Sequence, residues 1–165
     1  MHHFYANHLN WALDPLFHVH VKLFNRMLEQ AIPPATDGNN SITFYRYAPN
    51  LPARPLRLVH IAGIVVYVNH HSKFSRYILD DGSSTARCLL WNDTEPAAQL
   101  ALGDFVEVRG RLEWQKQILL VVVQSQQSLT SPYAELDWWL QVRTAHHQVY
   151  SQPFEMFLTP EQTQT

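Results

Sequence analysis

The chain has 165 residues, 46% of them hydrophobic, and a net charge of −2 at pH 7. This length and composition are typical of one globular domain with extensions, and they exclude a largely disordered chain. The near-neutral charge excludes nucleic-acid binding by electrostatic attraction alone, and no apolar run approaches the roughly 20 residues of a membrane span. The N-terminus lacks a basic start followed by an apolar stretch, so we expect neither a secretory signal nor a membrane partner.

The N-terminal part of the chain carries a helical pattern. Asp14 and Pro15 match an N-cap and a first helical position, and apolar residues recur behind them at helical spacing, at Leu16, Val19, Leu23, Phe24, Met27 and Leu28. The pattern predicts an amphipathic helix over residues 14–32. A short edge strand is predicted over 42–47. An extended proline-rich connector is predicted over 48–55, because proline cannot donate to a sheet.

Three predicted strands follow the connector. Residues 58–68 are almost wholly apolar and β-branched, and Gly63 in their middle predicts a bulge or a tight bend. Residues 75–80 alternate in polarity, and Asp81-Gly82 supplies a hairpin turn. Residues 85–91 resume the alternation, which places Ala86, Cys88 and Leu90 on one face and Arg87, Leu89 and Trp91 on the other.

Two more strands complete the series. A helix over 93–102 is predicted from a possible N-cap at Asp93 or Thr94 and from Pro96 near the first helical position. It is followed by a strand over 105–114, a polar connection and an apolar strand over 118–123 that we expect to be buried on both sides. The pattern predicts a mainly β fold, a five-stranded OB-type Greek-key barrel with flanking N-terminal and C-terminal α-helices.

The domain organisation follows from these elements. We expect the barrel over residues 56–128, an extension over 1–55 that packs on it, and a partner-binding helix and tail over 129–165. The helix, over residues 131–150, carries an apolar stripe formed by Leu136, Trp139, Leu140, Arg143 and Tyr150, with Trp138, Val142 and Val149 beside it. The barrel covers only one side, so we expect this stripe to bind a helix of a partner. The alternative is that both tryptophans pack on the chain's own barrel.

The predicted ligand face of the barrel is rich in aromatic and basic residues. OB barrels bind ligands around their second and third strands and the adjoining loops, and stacking on aromatic rings lets them hold single strands with few cations. The candidate DNA-binding residues are Tyr67, Lys73, Phe74, Arg76, Tyr77, Arg87, Trp91, Arg111, Trp114 and Lys116, with His70 and His71 in the same loop. Trp114 and Lys116 are expected to be exposed at a loop tip. The alternative is that Tyr77 and Trp91 are core residues and that Arg111 pairs with a glutamate.

The sequence gives no indication of catalysis. Its ten His residues are scattered, and its single cysteine, Cys88, falls on an inward face, where an inert buried thiol is expected. Spacing shows no catalytic triad and no phosphate-binding glycine loop. We therefore expect neither an enzyme nor a bound metal or cofactor, and the unpaired cysteine suits a reducing compartment.

Several segments carry a family resemblance. They are WALDPLFHVHVKLFNRML, VHIAGIVVYV, YILDDGS, CLLW, GDFVEVRGRL and VYSQPF, which occur in this order between residues 11 and 154. In these segments the chain resembles the middle subunit of the CST telomere-capping complex, a relative of the middle subunit of replication protein A. The resemblance implies a nuclear protein at chromosome ends. It would pair with a small OB-fold partner through C-terminal helices, bind single-stranded telomeric DNA and help to recruit DNA polymerase α–primase. It also implies a role in regulating telomerase.

The resemblance has one departure and leaves two alternatives open. Members of the family usually continue into winged-helix modules, whereas this chain stops at Thr165. It would then correspond to the N-terminal half of such a member, and functions of those modules cannot be read from this sequence. One alternative function is a protein-interaction scaffold whose OB domain binds no DNA. The other is a module for tRNA or oligosaccharide, against which the family segments argue.

Overall fold

The computed structural model describes residues 11–34, 42–93 and 100–154. In these ranges the strands are β1 Val21–Lys22, β2 Thr43–Tyr45, β3 Arg54–Leu56, β4 Leu58–His70, β5 Phe74–Asp80, β6 Thr85–Trp91, β7 Phe105–Gln115 and β8 Ile118–Leu129. The α-helices are α1 Asn25–Glu29 and α2 Ala134–Ala145. Short 3-10 turns cover Trp11–Leu13 and Pro15–Phe17, and a π-helical turn, His146–Tyr150, extends α2. No helix in these ranges is both long and apolar enough to cross a membrane.

Five strands close into a barrel in the order β4, β5, β6, β8, β7 and back to β4. The first half of β4 pairs antiparallel with β7, from Leu58 to Ile64, and its second half pairs antiparallel with β5, from Ile64 to His70. The closing contact between β6 and β8 is parallel. This topology confirms the predicted OB barrel.

The inside of the barrel is filled by alternate side chains of these strands. The largest fully buried apolar residues are Val59, Ile61, Val65, Leu79, Val106, Val108 and Val121, together with Tyr77. Ala86, Cys88 and Leu90 point into this core, as predicted. Burial raises the pKa of the Cys88 thiol far above its usual value, so the sulfur is an inert core atom.

Gly63 does not lie in a bulge, which corrects the sequence-based expectation. It pairs regularly with Val106, and the irregularity in β4 lies between Val65 and Tyr67. A Cβ atom at Gly63 would nevertheless lie 2.8 Å from the backbone carbonyl carbon of Asp80. The glycine is therefore required by the close approach of β5 to β4, not by backbone bending.

The long helix predicted over residues 14–32 is wrong. The residues form the two 3-10 turns, then β1, then α1. Only the start matches, because the Asp14 carboxylate accepts a hydrogen bond from the Leu16 amide at 2.9 Å. The Asp14 side chain is fully buried and forms an ion pair with Arg54 at 2.6 Å, and Val21 pairs in parallel with Val59 of β4. These long-range contacts outweigh the local helical pattern.

Three further predictions need correction or qualification. Part of the predicted connector over 48–55 forms β3, which pairs with β2, the edge strand expected over 42–47. β8 is fully buried only at Val121–Val123, whereas Ile118 is exposed. The helix predicted over 93–102 falls mainly on residues 94–99, outside the described residues.

The C-terminal helix packs on the outside of the barrel. Trp138 and Val142 are buried against Ala62 of β4, with Phe24 and Phe105 beside them. The rings of Trp138 and His60 lie 4.8 Å apart. Trp138 thus covers the chain's own barrel. The alternative interpretation expected this of both tryptophans, whereas Trp139 bonds to the Asp81 carbonyl of the β5–β6 turn and stays 40% exposed.

Placing a side chain at Gly63 should destabilise the barrel. Gly63→Ala and Gly63→Val force a Cβ against the Asp80 backbone, so we expect a loss of about 1–3 kcal/mol in the free energy of unfolding, the usual cost of overpacking. Urea denaturation followed by tryptophan fluorescence measures the loss. Val66→Ala, at an exposed position of the same strand, serves as the control. If the urea midpoint of Gly63→Val equals that of the wild type, β5 moves away from the added side chain without loss of stability.

Candidate nucleic-acid interface

A groove of about 450 Å³ lies over the outer face of β5 and β6, beside the hairpin that joins β7 to β8. It is lined by Tyr67, Arg76, Tyr77, Ile78, Arg87, Cys88, Leu89, Gln115, Lys116, Ile118 and Leu120. We call it the β5–β6 groove.

The strand register places the lining side chains of the groove in rows. Tyr67 pairs with Ile78, and Ile78 pairs with Arg87, so these three residues stand side by side on β4, β5 and β6. Arg76 and Leu89 form the next pair. Directly opposite residues on one face interact. The sheet therefore carries basic groups next to apolar ones along its surface.

The β7–β8 hairpin forms one wall of the groove. Gln115 and Ile118 are paired, so the turn consists of Lys116 and Gln117 alone. Both have positive φ angles, 47° and 66°, as a two-residue turn of this hand requires. Neither is a glycine, so the tight turn stores backbone strain. It holds the exposed Lys116 at the rim of the groove.

The charge of the groove is opposite in sign to that of the whole chain. Arg76, Arg87 and Lys116 line it, and none of the described residues that line it is an aspartate or a glutamate. Cations without nearby carboxylates attract a negatively charged ligand, and low-dielectric walls focus this attraction.

An aromatic cluster continues the groove towards the β4–β5 loop. Phe74 and Trp91 pair across β5 and β6 with ring centroids 5.7 Å apart, and His71 lies 4.6 Å from Phe74. The guanidinium of Arg76 lies 5.0 Å from the Phe74 ring. The Asn92 side-chain amide donates to the carbonyls of His71 and Ser72 at 3.0 Å and holds the loop in place. Trp91 is 43% exposed, so part of its ring is accessible for stacking.

Seven of the ten predicted DNA-binding residues lie along this surface. Tyr67, Arg76, Arg87 and Lys116 line the groove. Phe74 and Trp91 form the cluster, and Lys73 is exposed in the adjoining loop.

Three of the ten are placed differently. Tyr77 borders the groove but is only 1% exposed, and its hydroxyl donates to Gln126 at 2.8 Å, so its ring cannot stack on a base. Burial raises the pKa of Tyr77 well above its usual value. Trp114 is half-buried and donates from its indole nitrogen to Thr43 at 2.8 Å, so the expected exposure at a loop tip is wrong for it. Arg111 pairs with Glu113 at 3.2 Å.

The apolar floor of the groove was missed in the sequence. Ile78, Leu89, Ile118 and Leu120 all line it. The alternation of side chains along β5 already places Ile78 on the same face as Arg76, and this pattern was sufficient to predict Ile78 as a groove residue. Ile118 and Leu120 belong to a continuous apolar run that predicted burial on both sides, so no local signal distinguished them.

The exposed stripe on α2 is a second candidate surface. Leu136 and Leu140 are 58% and 53% exposed, and Arg143 is exposed beside them. Trp139 is partly exposed, packs 4.7 Å from the Phe24 ring and donates to the Asp81 carbonyl at 3.0 Å. Tyr150 does not belong to the stripe, because it is buried in the core and accepts a hydrogen bond from the Lys22 amide. We call Leu136, Trp139, Leu140 and Arg143 the α2 stripe.

The described residues do not assemble a metal site. Among residues 11–34, 42–93 and 100–154, no three His, Cys, Asp or Glu side chains converge as potential ligands.

Comparison with known proteins agrees with this geometry. A family model described as an OB-fold nucleic acid binding domain matches residues 59–125. The CST complex subunit STN1 of Ailuropoda melanoleuca is 22% identical over 177 residues, which cover 88% of this chain and 46% of that protein. The chain thus spans less than half the length of this relative.

Two solved structures share the fold. A chain of the crystal structure of yeast Stn1 and Ten1 superimposes with a TM-score of 0.63 at 15% identity, covering 93% of this chain and 84% of its own. A chain of a replication protein A heterotrimer bound to single-stranded DNA gives a TM-score of 0.66 at 16% identity, covering 79% of this chain and 98% of its own. With the family model and the STN1 match, these likenesses confirm the resemblance found in the sequence segments. The chain carries an OB-fold domain, and it is similar to the CST complex subunit STN1 over most of its length.

Proposed function

We propose that this chain binds single-stranded telomeric DNA through the β5–β6 groove, as one half of a heterodimer with a small OB-fold protein at chromosome ends in the nucleus. The observation that carries the proposal is a groove on the outer face of the barrel whose described lining includes three cations and no carboxylate. Two comparisons support it. A similar chain belongs to a replication protein A heterotrimer bound to single-stranded DNA, and another was solved as Stn1 with Ten1.

The groove suits a single strand better than a duplex. Bases are accessible for stacking only where they are unpaired, and the Phe74–Trp91 cluster offers ring surface beside Arg76. Stacking contributes about 1–3 kcal/mol per base without sequence selectivity. Arg87 and Lys116 then hold phosphates, and few contacts of this kind give a shallow dependence of affinity on salt.

The α2 stripe provides the surface for the small partner. Leu136 and Leu140 are one helical turn apart, and Arg143 follows three residues later, so they lie on one face of α2. The opposite face is occupied, because Trp138 and Val142 cover the barrel. A helix with one face on its own barrel and a second apolar face exposed is suited to pack against another helix.

The wider role follows from the resemblance. We propose that the heterodimer protects chromosome ends, acts without enzymatic activity of its own, helps to recruit DNA polymerase α–primase and regulates telomerase. These roles involve surfaces of the whole complex, of which this chain contributes the barrel and α2.

Substitutions in the groove should separate phosphate contacts from stacking. In the heterodimer, Arg87→Ala and Lys116→Ala should each lower the salt slope of binding by about 0.7, the value for one phosphate contact of a single strand. Trp91→Ala should lose about 1–3 kcal/mol with an unchanged slope. Fluorescence anisotropy with a labelled telomeric strand over a series of salt concentrations measures both quantities.

Arg109→Ala is the control for these variants, since Arg109 is exposed on β7 and does not line the groove. Unaltered binding by all three groove variants, with folding and partner binding intact, would exclude the groove as the DNA site. That result would favour a scaffold that binds no DNA.

A charge in the α2 stripe should weaken the heterodimer. Leu140→Glu places a carboxylate in an apolar contact, so we expect a loss of at least about 2 kcal/mol, roughly 30-fold in affinity, if Leu140 is a central anchor. Titration calorimetry with the purified small OB-fold partner measures the change. Leu102→Glu, at an exposed leucine outside α2, is the matched control. Equal affinities for the two variants would show that the partner binds elsewhere.

A further inference from the structure

A cleft remote from the β5–β6 groove lies between α1, the residues that follow β2, and the π-helical turn after α2. It has a volume of about 550 Å³, and its walls include Phe24, Arg26, Met27, Arg46 and His146. We call it the α1 cleft. Neither the proposed DNA site nor the α2 stripe uses its two arginines.

The α1 cleft carries positive charge without a counter-charge in its walls. Arg26 and Arg46 come from different elements, both are exposed, and none of the described lining residues is an aspartate or a glutamate. Arg46 is held in place, since its guanidinium donates to the Leu51 carbonyl at 2.7 Å. A guanidinium has five N–H donors, so this bond leaves donors for a carboxylate.

Carboxylates near the α1 cleft are engaged elsewhere. The buried Asp81 side chain accepts hydrogen bonds from the Asn25 amide at 2.8 Å and the Ser83 amide at 2.9 Å. The Glu29 carboxylate accepts a hydrogen bond from the Ser84 hydroxyl. These acidic groups are committed to the β5–β6 turn, and neither forms an ion pair with Arg26 or Arg46 among the described residues.

The apolar part of the α1 cleft continues towards α2. Phe24, Met27 and His146 also line a neighbouring cavity of about 510 Å³, which reaches Leu140 and Arg143 of the α2 stripe. This second cavity likewise has no acidic lining residue among those described. The two cavities share these walls, and together they place Arg26, Arg46 and Arg143 beside apolar side chains.

The walls of the α1 cleft are tied together before any ligand binds. The β5–β6 turn holds α1 through the Asp81 carboxylate, and it holds α2 because the Trp139 indole donates to the Asp81 carbonyl. The rings of Phe24 and Trp139 then pack against each other. A preformed site loses less conformational entropy when it is occupied.

Peptide rather than nucleic acid fits this arrangement. The aromatic rings of Tyr45 and Tyr47 in the cleft are buried and pack on each other, so they offer no open face for a base. Arginines beside apolar pockets instead match acidic side chains that alternate with large apolar ones. We propose that the α1 cleft binds an acidic peptide segment, with large apolar side chains, of a partner protein.

A synthetic peptide tests the proposal on the purified full chain. The probe is a fluorescein-labelled peptide of about ten residues that alternates Glu with Leu, and its control carries Gln in place of Glu. We expect the Glu peptide to bind more tightly than the Gln peptide. We also expect the double variant Arg26→Glu/Arg46→Glu to lower its affinity about tenfold or more, because reversing charges disrupts electrostatic complementarity. Arg109→Glu makes one such charge reversal outside the cleft, half the charge change of the double variant, and we expect it to retain binding.

Three outcomes would overturn the assignment. Equal affinities for the Glu and Gln peptides, or for the wild type and a double variant with an unchanged melting temperature, would show that the arginines recognise no acidic peptide. Displacement of the probe by an oligo-dT strand would assign the cleft to nucleic acid. A higher peptide affinity in a chain that ends at Phe154 would assign it to residues 155–165 of this chain. The comparison of the Glu and Gln peptides needs neither DNA nor the small partner, so its failure is distinct from failure of the proposed function.

Discussion

The structure depends on β4, the strand that pairs with β1, β5 and β7 and carries α2 on its outer side. Its first half pairs with β7, its second half pairs with β5, and β1 adds to it in parallel at Val59 and His60. The change of partner takes place at Ile64, next to Gly63, where the β5 backbone approaches too closely for a side chain. Trp138 of α2 packs on the same strand, against Ala62. One strand therefore joins β5 to β7 and holds β1 and α2 on the barrel.

Closure of the barrel determines where a ligand can bind. The parallel contact between β6 and β8 brings the β7–β8 hairpin beside the outer face of β5 and β6, and Lys116 at the hairpin tip then lies on the same groove as Arg76 and Arg87. The β5–β6 turn at the other end caps α1 and anchors Trp139. The two ends of the β5–β6 hairpin thus serve different surfaces, an aromatic cluster and groove at one end and the α1 cleft at the other.

The sequence predicted the barrel strands well because alternation is a local property. It failed over residues 14–32, where the pairing of Val21 with Val59 and the burial of Asp14 against Arg54 depend on residues far along the chain. The candidate site was predicted in part. Side chains alternate between the two faces of β5, so Arg76 faces the groove and Tyr77 faces the core. The prediction that both residues bind DNA did not apply this alternation. Trp114 was misplaced because the turn is shorter than the polar run, so β7 extends past it to Gln115.

The central claim is that a single DNA strand runs along the β5–β6 groove from the Phe74–Trp91 cluster to the β7–β8 hairpin. Amide chemical-shift mapping of the labelled chain, in complex with its unlabelled small partner and titrated with a telomeric strand, tests this most directly. The account predicts that the largest shifts fall at Phe74, Arg87, Trp91 and Lys116. Shifts confined to α1 and α2, or none at saturating DNA, would contradict it.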